Sequence, residues 1–413
     1  MGGGFSMDEK LALRASTPVQ FDYEECEFKE KNQPLLFGRK LTAVVYSFGY
    51  ETDACSVIRI VEPMLANDWN VIWATKRDES GFSFDLDVAS KADVIIIQRQ
   101  FPCKFTEKVL RIILSLGIPV AYDLDDMFFD ISTYHPKYDS FKKHLPYIKW
   151  ILKEADIITV STIPLKQSLS KYTSRPIHVK PNIVDFDLFS SCPRVHNNQF
   201  NFLVSGSSSH ERDWAIIEEP LLEILKIYKQ NVSVVFFGEA PKRFIGNPSV
   251  KIIDFQSNYK LYAKQLKELE VHAALIPLED TKFNQGKSNI KWLEYSAAGI
   301  PGAYSDITPY NSCISHEQNG LLVSNDQESW FNAMNQLVVD SEKKANIIKN
   351  AQHEVFIKHS IESSLDEYTS SVKSLFGQMH QHNTLSEWPI LHYRLYDSIK
   401  NVLDKHILWR FRQ

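Results

Sequence analysis

Three stretches of the chain carry residue types whose spacing suits chemistry. In the first, Lys287, Ser288 and Asn289 stand just before an apolar-periodic run, NIKWLEYSAAG, with Glu294 one turn in. Unpaired N–H groups at a helix start, with a lysine beside them, favour an anion such as a diphosphate through both dipole and point charge. Glu294 is then placed to accept hydrogen bonds from sugar hydroxyls. The same letters also read as an ordinary helix with an N-cap serine and a surface glutamate. In the second stretch, VSGSSSHERDW at 204–214, Gly206 allows close backbone approach, Ser207 and Ser208 offer hydroxyl and amide donors, and His210 adds a proton donor. A routine Ser/Gly turn after a strand is the alternative.

The third stretch, AYDLDDMFFD, puts Asp123, Asp125 and Asp126 just past an apolar run. Three carboxylates so close repel unless a cation or a proton relieves them, and Arg99 or Arg59 is the expected counter-charge. Asp126 then serves as a base toward a hydroxyl, with Asp125 as a hydrogen-bonding neighbour, unless the cluster only caps the following helix. Asp123-Leu-Asp125 also imitates a metal-binding Asp-x-Asp and the nucleophile and acid of a haloacid-dehalogenase phosphatase. Neither context fits. Met127 stands where the phosphatase pattern wants Thr or Val, two strand–helix units precede the motif, and the metal-binding fold is a single domain. No metal site is expected.

The elements that position these residues alternate. LTAVVYSF, NVIWATK, ADVIIIQRQ, IPVAYDLDD, ADIITVST and IHVKPNIVD read as strands with helical stretches between them, among them IRIVEPMLAND and FTEKVLRIILSLG. The period fades through DFDLFSSCPRVHNNQF and then resumes with FNFLVSG, VSVVFFG, VKIIDF, HAALIPL, IPGAYSD and GLLVSN. Strand–helix alternation predicts a parallel, doubly wound sheet, here twice in series. The expected organisation is an extension at 1–38, a first Rossmann-like domain at 39–188, a second at 199–375 and a helical segment at 376–413. Ligands of such sheets bind at the carboxyl ends of the strands, so a cleft between the domains is the expected site. SWFNAMNQLVVDSEKKANIIKNAQHEVF reads as one long amphipathic helix. Trp73, Trp150 and Trp292 read as core.

The 413 residues, with 46 basic against 51 acidic side chains and a formal charge of −5, exclude a nucleic-acid-coating protein. Composition is that of a folded globular chain. Cys26, Cys55, Cys103, Cys192 and Cys313 are scattered without zinc or disulfide spacing, which suits a reducing, cytoplasmic setting. No leader and no long apolar span is expected. Lys400, Lys405, His406, Arg410 and Arg412 mix with Trp409 and Phe411 near the end. Such a helix either docks on the body or touches anionic lipid as a peripheral membrane contact.

The Glu294 segment resembles the signature of the retaining GT-B glycosyltransferases of family 4: Glu294 matches the second of two glutamates, Gly299 and Pro301 a Gly-x-Pro, and Asn319–Val323 an Asn-Gly-Leu-Leu-Val turn. The first glutamate is replaced by Gly286. Asp-Leu-Asp-Asp, Ser161-Thr162 and Pro181-Asn182 further resemble bacterial surface-polysaccharide enzymes of the S-layer glycan rhamnosyltransferase type, over about residues 40–375. The resemblance implies a GT-B fold, α/β with two Rossmann-like domains facing a cleft, and a nucleotide-diphosphate sugar donor, dTDP-rhamnose favoured. It also implies a donor site of Gly206, Ser207, Ser208, His210, Lys287, Ser288, Asn289 and Glu294 in the second domain, and an acceptor side of Arg59, Arg99, Asp125 and Asp126 in the first. Lys287 and Asp126 are the implied catalytic groups, and the acceptor is an oligosaccharide, free or lipid-linked. Transfer is implied to be retaining, metal-independent and by front-face attack, without a cofactor. The missing glutamate leaves open a catalytically silent glycan-binding scaffold of the same fold.

Overall fold

A computed structural model of the protein describes residues 40–79, 81–190 and 199–364. The expected extension at 1–38, the linker at 191–198 and the terminal segment at 376–413, with its basic aromatic helix, therefore lie outside the described residues. Those that are described form two units. One takes residues 40–50 and 67–181, and the other takes 51–66 and 182–364.

In the first unit, runs rich in Val and Ile give β1 (Thr42–Tyr46), β2 (Asn70–Trp73), β5 (Val94–Gln98), β6 (Val120–Leu124), β7 (Ile157–Val160) and β8 (Ile177–Val179). They pair in parallel in the order β2-β1-β5-β6-β7-β8. Every residue of β5 and β6 is buried, as expected where helices cover both faces of a parallel sheet. The crossing helices are Glu107–Ser115, Tyr138–Glu154 and Ile163–Leu169, the last capped by the Thr162 hydroxyl on the Leu165 N–H. A short antiparallel hairpin, β3 (Thr75–Asp78) and β4 (Gly81–Phe84), stands apart from the sheet.

The second unit repeats the plan with β9 (Phe200–Gly206), β10 (Val232–Gly238), β11 (Val250–Ile253), β12 (Ala273–Ile276), β13 (Gly302–Ser305) and β14 (Leu321–Val323), ordered β11-β10-β9-β12-β13-β14 and all parallel. Phe202, Val204, Val234 and Phe236 point to one core, and Leu203, Val235 and Phe237 to another, so this sheet is packed on both faces. Trp292 and Trp330 are fully buried in the two cores, and Trp150 in the first unit. Trp73 is only half-buried and donates to the Gly49 carbonyl.

Two features differ from the expectation. The long helix at 327–359 is two, Gln327–Val339 and Ser341–His359, because Asp340 leaves helical geometry and its carboxylate caps the second on the Lys343 N–H at 2.9 Å. The stretch Glu51–Ala66, expected in the first domain, belongs to the second unit, and the later division falls between Pro181 and Asn182. The cause is packing: Val57 and Ile58 enter the core beside Phe189, Tyr259 and Leu278, and the Tyr259 N–H donates to the Thr52 carbonyl at 2.9 Å.

Candidate functional site

In each sheet the strand order reverses once, and ligands of open α/β sheets bind at that switch point beyond the carboxyl ends of the strands. In the second unit the switch lies between β9 and β12. β9 ends at Gly206, and a side chain there would strike the His210 ring at 2.8 Å. Gly238, at the matching end of β10, has φ of +112°, and its Cβ would stand on the Gly206 carbonyl oxygen. Only glycine fits. Beyond Gly206 the chain turns through Ser207–His210 into the helix Glu211–Ala215, with the Ser207 and Ser209 hydroxyls bonded to each other at 2.9 Å and Ser208 exposed.

His210 differs from the proton donor expected of it. Its Nδ1 lies 2.7 Å from Asp213 Oδ2, and burial, with help from the Lys291 charge, lowers its pKa to about 4. The ring is therefore neutral at pH 7. Facing an ionised carboxylate, Nδ1 must hold the proton, which leaves Nε2 an acceptor. Burial alone would raise the Asp213 carboxyl, but the His210 hydrogen bond and the Lys287 charge outweigh it and hold it below the usual range. Asp213 Oδ1 accepts from the Glu279 N–H at 2.7 Å and from Asn284 Nδ2 at 3.2 Å, so one carboxylate ties the loop after β9 to the loop after β12.

The helix Ile290–Ala297 enters from that second loop. Its N-cap is Asn289 rather than a serine, and no side chain caps it; the Asn289 side chain bonds Cys313 instead. It ends in a Schellman motif, with Gly299 at φ +67° and the Ile300 N–H on the Tyr295 carbonyl, which turns the chain at Pro301 into β13. Lys287 precedes the helix, its Nζ 5.4 Å from the Phe283 ring centre. One turn on, Lys291 donates to the Ser205 carbonyl at 2.7 Å. Burial, reinforced by Lys287, drops the Lys291 pKa to about 8. Glu294 is 6% exposed, and burial pushes its carboxyl up to about 7 even though the Tyr262 hydroxyl donates to it at 3.1 Å. The Tyr295 hydroxyl meets Ser205 Oγ at 2.5 Å. Lys287, Lys291, Asp213, His210 and Glu294 thus form one electrostatic cluster.

Ser288 accepts a hydrogen bond from Asn182 Nδ2 at 2.8 Å, and Asn182 Oδ1 accepts from Arg59 Nη1 at 2.9 Å. Arg59 is therefore a buried side chain of the second unit, because Val57 and Ile58 carry its helix into that core, while the aspartates belong to the first.

In the first unit, Arg99 gathers Asp125 and Asp126. Nη1 lies 2.5 Å from Asp125 Oδ1 and Nη2 lies 2.5 Å from Asp126 Oδ2. Its backbone sits at φ +52°, unusual for a non-glycine residue, and is held there by its N–H on the Asp123 carbonyl and its own carbonyl on the Tyr122 hydroxyl. Asp123 is buried and accepts from the Thr159 hydroxyl at 2.7 Å. Among the described residues no group of three or more His, Cys, Asp or Glu is placed to hold a metal ion, and no helix is long and apolar enough to cross a membrane.

Sequence reasoning brought Lys287, Ser288, Asn289, Glu294, His210 and Gly206 to one unit, and Arg99, Asp125 and Asp126 to the other. It missed Lys291, Asp213 and Tyr262, and had Asn182 only within the Pro-Asn resemblance. The i, i+4 spacing of Lys287 and Lys291, continued i, i+3 to Glu294, was the available signal for Lys291.

The sequence matches no protein-family model and none of the curated proteins. The fold does have solved counterparts. Sucrose-phosphate synthase from Thermosynechococcus elongatus matches at a TM-score of 0.60 and 14% identity, over 82% of this chain and 100% of that one. HepE of Anabaena, solved with UDP and glucose, matches at 0.59 and 14%, over 81% and 100%. The pneumococcal O-GlcNAc transferase GtfA, solved with UDP and GlcNAc, matches at 0.51 and 13%, over 72% and 62%. These counterparts are GT-B glycosyltransferases, and the two parallel six-stranded sheets give this chain the same α/β fold.

Proposed function

We propose that the protein is a glycosyltransferase that moves a sugar from a nucleoside diphosphate to a hydroxyl of a growing glycan, with the donor held by the second unit and the acceptor by the first. The observation that carries this reading is the meeting of Lys287, Lys291 and an uncapped helix start at the switch point of the second sheet, with Glu294 two turns from Lys287. Lys291 sits in a place that lowers its pKa, so an anion arriving there restores its full charge and gains more than it would from a surface lysine. As the bond from sugar to β-phosphate breaks, charge builds on the leaving phosphate, and fixed N–H dipoles with two ammonium groups stabilise that charge as it forms. Glu294, beside Tyr262, accepts from ribose hydroxyls, and Gly206 lets the backbone approach the phosphates.

On the acceptor side, Asp126 acts toward the incoming hydroxyl and Arg99 sets its position. The finer reading, L-rhamnose from dTDP-rhamnose with retention and without metal, rests on the Asp-Leu-Asp-Asp, Ser-Thr and Pro-Asn resemblance. The uridine ligands of HepE and GtfA make UDP-sugars the competing donors. The acceptor is an oligosaccharide, lipid-linked or free, and the setting is cytoplasmic, with a peripheral membrane contact where the acceptor is lipid-linked.

Calorimetric titration with UDP, dTDP and GDP tests the site, and release of nucleotide from UDP-glucose and dTDP-rhamnose tests the activity. Binding with turnover, undiminished in excess EDTA, is the expected result. Binding without hydrolysis or transfer of any donor would turn the reading to a silent scaffold, for which Gly286 in place of the first glutamate is the supporting feature. Loss of activity in EDTA with rescue by manganese or magnesium would return Asp123 and Asp125 to metal ligation.

A further inference from the structure

Arg59 is 2% exposed and sits on the π-helical turn Val57–Val61. A buried guanidinium is costly unless its hydrogen bonds are made, and π-turns persist mostly where they serve a site. Its segment is fastened at both ends. Asp53 bridges Asn258, the Thr52 carbonyl accepts from the Tyr259 N–H, and Glu62 pairs with Lys260 at 2.8 Å. Between these fastenings Arg59 Nη1 reaches Asn182 Oδ1, and Asn182 Nδ2 reaches Ser288 Oγ.

The chemistry of the three groups fixes the direction of the chain. A guanidinium only donates, so the Asn182 amide must turn its oxygen to Arg59 and its NH2 to Ser288. The serine oxygen is then an acceptor, and its single proton is left to point elsewhere. Ser288 stands between Lys287 and the uncapped start of the Ile290–Ala297 helix. We infer that Arg59 is a positioning residue of the anion site, acting through Asn182 to hold the Ser288 hydroxyl as a donor to phosphate. Its charge also polarises the relay, since hydrogen bonds in series strengthen one another. The inference rests on the nucleotide-binding role proposed above for the second unit.

The test is a double-mutant cycle on the full chain, with UDP and dTDP affinity read by calorimetry and melting followed in parallel. Arg59→Met and Ser288→Ala should each weaken binding roughly 2- to 12-fold, the range of one hydrogen bond. The double variant should bind no worse than the weaker single one. Effects that multiply in the double variant, or an Arg59→Met protein that melts lower and binds normally, overturn the inference. If Arg59→Met does not fold, Asn182→Asp takes its place. A carboxylate there keeps Arg59 paired but draws the serine proton to itself, so binding should weaken and Ser288→Ala should add nothing further. Normal affinity in Asn182→Asp overturns the inference. Absence of nucleotide binding by the unaltered protein removes the proposed function itself, a result distinct from intact binding with an additive cycle.

Discussion

The charged groups of the two units are solved in opposite ways. In the first, two carboxylates share one guanidinium in short, charge-assisted bonds, and Tyr122 and Asp123 hold the backbone that aims it. In the second, Lys291 meets a carbonyl rather than a carboxylate, and Glu294 meets a phenol rather than a cation, so burial pulls both toward neutrality. One cluster sets two carboxylates on one guanidinium, while the other, under the proposed function, is completed by an anion. In the function proposed above, the first place orients a neutral hydroxyl and the second receives a diphosphate.

The largest expected break is catalytic. Asp126→Asn should lower transfer by roughly 10²- to 10⁴-fold, the range for a proton-transfer group, and leave nucleotide affinity within a few tenths of a kcal/mol. An acceptor-extension assay beside calorimetry on the same protein decides it: a matched loss of nucleotide affinity would place the carboxylate at the donor, and full transfer would leave it a structural partner of Arg99.

Stability sharpens the comparison next. Arg99→Met strands two mostly buried carboxylates and should cost on the order of 3 kcal/mol in urea unfolding. Lys291→Met removes a buried charge whose hydrogen bond goes to a carbonyl and whose pKa burial pulls down, so it should be neutral or stabilising at pH 7. The same variant should lose about 1.5–3 kcal/mol of nucleotide affinity, as should Lys287→Ala, each losing a bond to a charged group. Equal stability losses for Arg99→Met and Lys291→Met would erase the distinction.

The smallest effect is a pH dependence. Glu294 has a folded pKa of about 7 against 4.5 unfolded. The stability tied to its neutral form is therefore fully present below pH 4.5 and is lost as pH rises through about 7. Between pH 6 and 8 this amounts to about 1–2 kcal/mol, and Glu294→Gln should flatten that part of the curve. Lys291 has the opposite sign, since its folded pKa is depressed from 10.5 to about 8: stability present above pH 10.5 is lost as pH falls through about 8. Identical unfolding curves for Glu294→Gln and the unaltered protein over pH 6–8 would show that the carboxyl is not confined as described.

Much of this was legible in the sequence because it is local. Strand runs such as VIII at 94–97 or VSVVFFG at 232–238 announce themselves, and Gly299 with Pro301 marks its own turn. Asp340 was legible too, since Asp-Ser-Glu is a helix-start signal, but the apolar period on either side masked it. What stayed hidden depends on distance along the chain. Arg59 finds Asn182 across 123 residues and Asp213 finds Asn284 across 71, and no periodicity encodes such pairs. Lys291 reads as an exposed helix lysine until β9 lies beneath it.

The membership of Glu51–Ala66 bears on how the protein can be taken apart. A fragment begun at Asn182 would have every strand of the second unit and still lack Arg59, Val57, Ile58 and the pairing at Thr52 and Asp53. Such a fragment should express as a sticky, poorly melting species. A synthetic peptide covering 51–66, supplied in trans, should restore its solubility and its cooperative melt, making peptide and fragment behave as a split protein.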